Sequence, residues 1–328
     1  MPFDVVTFGE AMIRLAPPSF RRLEQAQTLE VQVGGAELNT AVGVARLGRS
    51  AAWVSRLTRN PLGRLLANKA REAGVNTNHV VWTDDDRVGL YFLEFGAAPR
   101  ASSVLYDRKG SAIAAVRPGM VPWATVFAGA KWFHVTGITP ALGTGAAETT
   151  REALRAAREA GLKTSIDLNH RVKLWSNAEA GRWMSEFMQW CDVLVTTEED
   201  SERVFGIRGK DYEDCAAQLA RRFPLRVVAV TLRENPLVWK NTWTAIAYQD
   251  GRVLKTRSHE VEIVDRLGAG DSFAAGLILG LLDGDLQKGV DYGVALSAVK
   301  HSIPGDFAWI TREEVENLLK GSGLRISR

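Results

Sequence analysis

Residues 261–282 read Val261-Glu-Ile-Val-Asp265-Arg-Leu-Gly268-Ala-Gly270-Asp271-Ser-Phe-Ala-Ala-Gly276-Leu-Ile-Leu-Gly280-Leu-Leu282. An apolar, strand-like start gives way to a polar turn at Asp265, then to two glycines around one alanine, then to Asp271 at the head of an apolar helical run. Glycine lets the backbone adopt φ > 0 and approach a ligand closely. The free N–H groups of a helix start, at the positive end of its dipole, attract phosphate. The stretch therefore predicts an anion cradle. A carboxylate beside bound phosphate is repelled by it unless a metal or a reacting hydroxyl stands between them, so Asp271 points to chemistry as well as binding. A local reading competes: Asp is a favoured helix N-cap, and such a cap stabilises a helix by about 1 kcal/mol. Two phosphate-binding motifs are excluded, since the stretch lacks the third glycine of the dinucleotide fingerprint and no Gly-x-x-x-x-Gly-Lys-Ser/Thr occurs in the chain.

Composition narrows the partner. A length of 328 residues suits two domains or one large α/β domain with an elaboration. The formal net charge is +3, with no long basic run, which argues against nucleic acid and for a small molecule. Only Cys191 and Cys215 occur, each in an apolar setting, as expected of buried inert thiols in a reducing cytoplasm. There is no basic segment ahead of an apolar core at the N-terminus and no apolar run long enough to span a bilayer, so no membrane partner is expected.

Working outward, short apolar strands alternate with helical patterns. Strands are expected at residues 3–8, 51–57, 80–82, 131–136, 163–168, 192–196 and 226–231. Helices are expected at about 36–47, 62–73, 144–160, 177–189, 198–205, 211–222, 270–282, 287–301 and 311–319. That alternation indicates βαβ units and a mostly parallel sheet. Two segments break it. Residues 11–33 read as a pair of exposed strands, and 87–109 as two antiparallel strands joined by a Gly-Ala-Ala-Pro loop; together they predict a small β-sheet lid. Residues 236–256 read as hairpin strands with Asp250-Gly251 as the turn.

The chain resembles the ribokinase (pfkB-type) family of ATP-dependent sugar kinases. The resemblance rests on Gly34-Gly-Ala-Glu-Leu-Asn39-Thr-Ala-Val-Gly-Val-Ala-Arg-Leu-Gly48 and on Asp265-Arg-Leu-Gly-Ala-Gly-Asp-Ser-Phe-Ala-Ala-Gly276. Further matches at Asn60-Pro-Leu-Gly, Tyr106-Asp-Arg-Lys-Gly-Ser-Ala, Asp167-Leu-Asn-His-Arg-Val-Lys-Leu-Trp and Ile303-Pro-Gly-Asp-Phe are most similar to the 2-keto-3-deoxygluconate kinases within it. The resemblance implies a three-layer α/β/α core over residues 1–328 with the lid attached, and ATP with Mg²⁺ as cofactors. It also implies phosphorylation of the C6 hydroxyl of 2-keto-3-deoxygluconate or its galactonate epimer.

Carried over by position, Asp271 is the general base, and the N–H groups of Gly268, Ala269, Gly270 and Asp271 form the anion hole. Gly34, Gly35, Asn39, Tyr91, Tyr106, Arg108 and Arg171 are the implied sugar contacts. An arginine fork suits the carboxylate of a keto acid. Thr197, Thr231, Arg233 and His301 are implied on the nucleotide side. There the chain departs from the family's Asn-x-x-Glu: Thr197 and Asp200 stand at those positions, leaving Asp200 as the metal-side oxygen donor. Thr231-Leu-Arg-Glu replaces the usual Thr-Leu-Gly, which brings in Arg233. Two other readings remain, a kinase of a neutral sugar and a sugar or nucleotide binder without catalysis. Exposed apolar lid strands imply a homo-oligomer in which the lids cover one another.

Overall fold

The computed structural model describes residues 2–237 and 240–321, with the side chains of residues 233–237 outside that description. In chain order the elements are β1 (Val5–Phe8), β2 (Met12–Ala16), β3 (Glu30–Gly34), α1 (Ala36–Arg46), β4 (Ala51–Val54), β5 (Arg56–Thr58), α2 (Pro61–Glu72), β6 (Val81–Thr83), β7 (Gly89–Glu94) and β8 (Ser103–Asp107). There follow α3 (Trp123–Val126), β9 (Trp132–Thr136), α4 (Thr144–Glu159), β10 (Lys163–Asp167), α5 (Asn177–Phe187), β11 (Val193–Thr196), α6 (Glu198–Phe205) and α7 (Tyr212–Arg222). The last are β12 (Val227–Leu237), β13 (Lys240–Gln249), β14 (Arg252–Lys255), β15 (His259–Glu262), α8 (Ala269–Leu282), α9 (Leu286–Lys300) and α10 (Arg312–Leu319).

The main sheet has the order β14-β13-β12-β11-β10-β9-β1-β4, with β15 also on β13. From β12 to β4 every pairing is parallel, and β13, β14 and β15 close one edge antiparallel. Strand alternation explains the layers, because successive side chains point to opposite faces. Val5, Ala51 and Trp53 join one core with residues of α1, α8 and α9, whereas Val6, Ala52 and Val54 join the other with residues of α4, α5 and α7. Both faces are covered, which is why β1, β4 and β11 are buried throughout. The result is the expected three-layer α/β/α core.

Helix α8 is apolar all round because α9 packs directly upon it. A Cβ at Gly276 would stand 2.5 Å from the Gly293 nitrogen, and one at Gly280 would stand 2.1 Å from that of Gly289, so the two helices meet backbone to backbone. That contact seats the head of α8 at the carboxyl ends of the parallel strands, where open α/β sheets bind ligands.

The second sheet has the order β3-β2-β7-β8, antiparallel between β2 and β3 and between β7 and β8, and parallel between β2 and β7. The antiparallel pairing of the 87–109 segment is as expected. The exposed pair expected within 11–33 is not what forms: β2 is an inner strand and almost wholly buried, while β3 exposes Val31. Alternation alone could not reveal that Arg14 points inward to two core carboxylates. The strand expected at 226–231 continues to Leu237, and the Asp250-Gly251 turn, with positive φ at both residues, joins β13 to β14. Both cysteines are buried and unpaired, and among the described residues no helix is long and apolar enough to cross a membrane.

Candidate active site

The head of α8 begins at Gly268, whose φ of 81° lies in the left-handed region. Its Cβ position would fall 2.0 Å from the Asp306 carbonyl oxygen, so only glycine fits. Gly268 is thus the N-cap, and Asp271 stands inside the first turn, where its carboxylate caps nothing. The amide of Ala269 turns back onto the Arg266 carbonyl at 3.3 Å. Those of Gly268, Gly270 and Asp271 have no hydrogen-bond partner among the described residues, and a Cβ at Gly270 would meet open space. Of the four amides expected in the anion hole, three remain open.

Asp271 is buried, and its Oδ2 accepts from Asn39 Nδ2 at 2.7 Å. Burial pushes its carboxyl up to about 6, with Asn39 and Arg171 working in the opposite direction. Asn39 also accepts from the Gly35 amide at 3.3 Å, so it both braces its own helix and aims the carboxylate. Asp271 lines two adjoining cavities, which share Asn169, Arg171, Leu267 and Gly268 as well.

The first cavity lies between the cradle and the four-stranded sheet. It brings together Gly34, Gly35, Asn39, Tyr91, Tyr106 and Arg108, with Arg171 at its border, so the implied sugar contacts converge. The two glycines admit neighbours: a Cβ at Gly34 would meet the Asp306 carboxylate at 2.2 Å, and one at Gly35 the Glu10 carbonyl at 2.0 Å. Tyr91 is buried and donates to Asp306 Oδ2 at 2.6 Å, whereas Tyr106 is 41% exposed and faces it across the ring pair. Arg108 pairs with the buried Glu10, which also accepts from Ser111 Oγ at 2.5 Å. Behind them Arg14 binds Asp265 at 2.6 Å and Asp306 at 2.8 Å, all three buried.

The second cavity runs the other way, over the carboxyl ends of β11 and β12. Thr197, Asp200, Thr231 and His301 line it. Thr197 Oγ1 is committed locally, capping α6 by accepting from the Asp200 amide at 3.1 Å. His301 is buried, with Nδ1 2.7 Å from the Ser297 carbonyl and its ring against Trp243. The side chain of Arg233 lies outside the described residues. Burial drives the Asp167 carboxyl up to about 8, aided by the charges of Asp271 and Asp200; burial also raises Asp200, against the pull of Arg171. Asn241 Oδ1 is buried without a partner among the described residues.

Sequence reasoning missed Glu10, Arg14, Asp167, Asn241 and Asp306 as site residues. Asp167 and Asp306 stood within matched motifs, so the signal existed there. For Arg14, a buried charge on β2, no local pattern marks it; Glu10 lies between β1 and β2 at the end of Phe8-Gly-Glu, a further stretch that resembles the family.

A family model described as pfkB family carbohydrate kinase matches residues 3–306. A 2-dehydro-3-deoxygalactonokinase of Haloferax volcanii is 40% identical over 329 residues, covering 100% of both chains. The crystal structure of the 2-dehydro-3-deoxygluconokinase of Thermotoga maritima superposes with a TM-score of 0.94 at 41% identity, covering 97% of this chain and 99% of that one. An uncharacterized sugar kinase of Pyrococcus horikoshii, solved in complex with ATP, shares the fold with a TM-score of 0.77 at 22% identity, covering 94% of this chain and 96% of that one.

Proposed function

Because the chain belongs to the pfkB family of carbohydrate kinases, we propose that it transfers the γ-phosphoryl group of ATP to the C6 hydroxyl of a 2-dehydro-3-deoxy sugar acid, of either the gluconate or the galactonate configuration. The observation that carries this reading is the position of Asp271, braced by Asn39 where the two cavities meet, beside three open amides. Names of full-length relatives on both epimers support the substrate class.

In the reaction, Asp271 takes the proton of the sugar's primary hydroxyl as that oxygen bonds to the γ-phosphorus and the bond to the departing ADP oxygen breaks. A carboxyl at about 6 is a stronger base than an ordinary aspartate and is still ionised at neutral pH. Charge on the transferring group faces the amides of Gly268, Gly270 and Asp271, donors that need no reorganisation at the moment of transfer. Arg108 and Arg171 receive the sugar carboxylate, and the four-stranded sheet acts as a lid over it. Asn241 and His301 would border the ATP base, the unpartnered Asn241 oxygen being free to accept a donor from it.

Mg²⁺, when bound, would supply charge neutralisation to the phosphates. The donor set fits a hard, oxygen-seeking cation that keeps water and phosphate ligands: the charge of Asp200 helps raise the Asp167 carboxyl, while among the described residues no group of three or more His, Cys, Asp or Glu is placed to hold a metal by itself. Asp200, with Asp167, would hold its hydration shell.

The test is an ADP-release assay over both keto-deoxy acids, their neutral analogues, fructose and ribose. Efficient turnover of both acids is expected; greater efficiency on ribose or fructose would sink the assignment.

A further inference from the structure

Beneath the cradle lies a cation that this mechanism leaves unused. Lys300, the last residue of α9, is 0% exposed. Its Nζ donates to two backbone carbonyls, those of Asp265 at 3.3 Å and Ile303 at 3.0 Å, and it forms no ion pair with a carboxylate among the described residues. Burial lowers the lysine pKa, and the nearby charges of Asp265, Asp306 and Asp271 oppose that fall, while Arg14 adds to it. Burying an ammonium costs several kcal/mol even after relaxation, about the range found for buried ions generally, so a lysine sealed here needs a reason.

The reason lies in what the two carbonyls belong to. The Asp265 carboxylate accepts from the Leu267 amide at 3.1 Å and the Gly305 amide at 2.9 Å, and so sets the turn that enters Gly268. Gly268 in turn packs its Cα against the Asp306 carbonyl. Residues 265–268 and 303–306 are therefore laid backbone on backbone, and Lys300 joins them from below. Ser297, one turn earlier on the same helix, donates to the Ala269 carbonyl at 2.7 Å. Charge points the same way. Asp265, Asp271 and Asp306 are buried around the cradle, against the buried cations Arg14 and Lys300. An arriving phosphoryl group adds further negative charge.

We propose that Lys300 is the built-in cation of the phosphoryl cradle: a positioning residue whose ammonium pins the Asp265 and Ile303 carbonyls and takes the place that a dissolved monovalent cation would otherwise have to fill. The proposal rests on reading residues 268–271 as the phosphoryl site. Its chemistry tests itself, because carbonyl oxygens that solvate an ammonium also suit K⁺ or NH₄⁺ once the lysine chain is withdrawn.

Two measurements decide it. Wild-type turnover is expected to be the same in KCl and in choline chloride at equal ionic strength. Lys300→Met is expected to lower kcat by about 10²-fold, the scale on which a small misplacement acts, with the sugar KM little changed. NH₄Cl or KCl should restore a substantial part of the loss, and choline none. The proposal is overturned if the wild type needs K⁺ for turnover, if Lys300→Met turns over normally, or if its loss responds to neither cation. Should Lys300→Met fail to fold, the wild-type salt comparison still decides, since it needs no variant. Normal turnover by Asp271→Asn would instead sink the assignment of the cradle itself, whatever Lys300 does.

Discussion

The two cavities that meet at Asp271 are built on opposite electrostatic plans. On the sugar side every buried acid has a partner in place: Glu10 has Arg108 and Ser111, while Asp306 has Arg14 and Tyr91. On the nucleotide side Asp167 and Asp200 crowd one another, with the exposed Arg171 as the counter-charge near both. One half has its acids paired within the protein, and the other carries crowded acid that a cationic ligand would balance. In the proposed function the crowded acid suits a metal-bound triphosphate, because complementarity to a ligand is set by the charge left uncompensated, while the sugar carboxylate is met by Arg171 where the two cavities join.

The sharpest way to break this division is at its boundary. Asp271→Asn is expected to reduce kcat by at least about 10²-fold, the size typical of general-base removal. Sugar affinity measured by calorimetry should be largely kept; normal turnover would remove Asp271 as the base. As the proposed base, the same carboxylate is expected to set the acid limb of the pH profile. Since its folded value is raised to about 6 and the base must be ionised, kcat/KM should fall as pH drops through about 6. A limb near 4 would show that burial does not act on it as described.

Next comes the counter-charge. Arg171→Ala should raise KM for the keto acid by about tenfold or more, the worth of a charge-assisted hydrogen bond, with a smaller effect on any neutral analogue. An equal effect on both would show that Arg171 does not read the carboxylate.

The smallest effect concerns stability. Asp167 has a folded value raised to about 8 by burial and by Asp271 and Asp200, so the stability it contributes is fully present below its unfolded value near 3.8 and is lost as pH rises through about 8. Asp167→Asn should therefore unfold about 2 °C or more higher than the wild type at pH 8.5, with no gain near pH 4, while losing activity. A gain independent of pH would point to packing instead. For the second sheet, the exposed Phe20, Val31 and Leu105 are proposed to meet a second copy of the chain. Val31→Asp with Leu105→Asp should then lower the sedimenting mass, and a wild-type monomer at micromolar concentration would end that idea.

Much of the site was legible in the chain because cradles are local. Gly268, Gly270 and Asp271 lie within one turn, and Gly34, Gly35 and Asn39 within another, so their spacing carries their geometry. Arg14 was not legible: its partner Asp306 is 292 residues away, and an arginine in a short strand reads as an outward side chain. Lys300 ends a helix, where a lysine ordinarily favours the dipole from solvent. Only the closure of residues 265 and 303 around it reveals an internal cation. Thr197 shows the reverse, since its place in a matched position implied a ligand contact while its hydroxyl caps the next helix.

The sequence by itself determined the alternation of strands and helices, and it supplied the candidate cradle and the candidate base of the proposed function, since each depends on spacing within a few residues. The tertiary structure decided that Asp271 caps nothing and is aimed by Asn39. It also decided that three of four amides stay open, and that the charges are paired on one side of the site and crowded on the other. Those outcomes depend on which distant carboxylates, cations and carbonyls are brought together when water is excluded, and the strength of a buried charge is set by those neighbours rather than by its place in the chain.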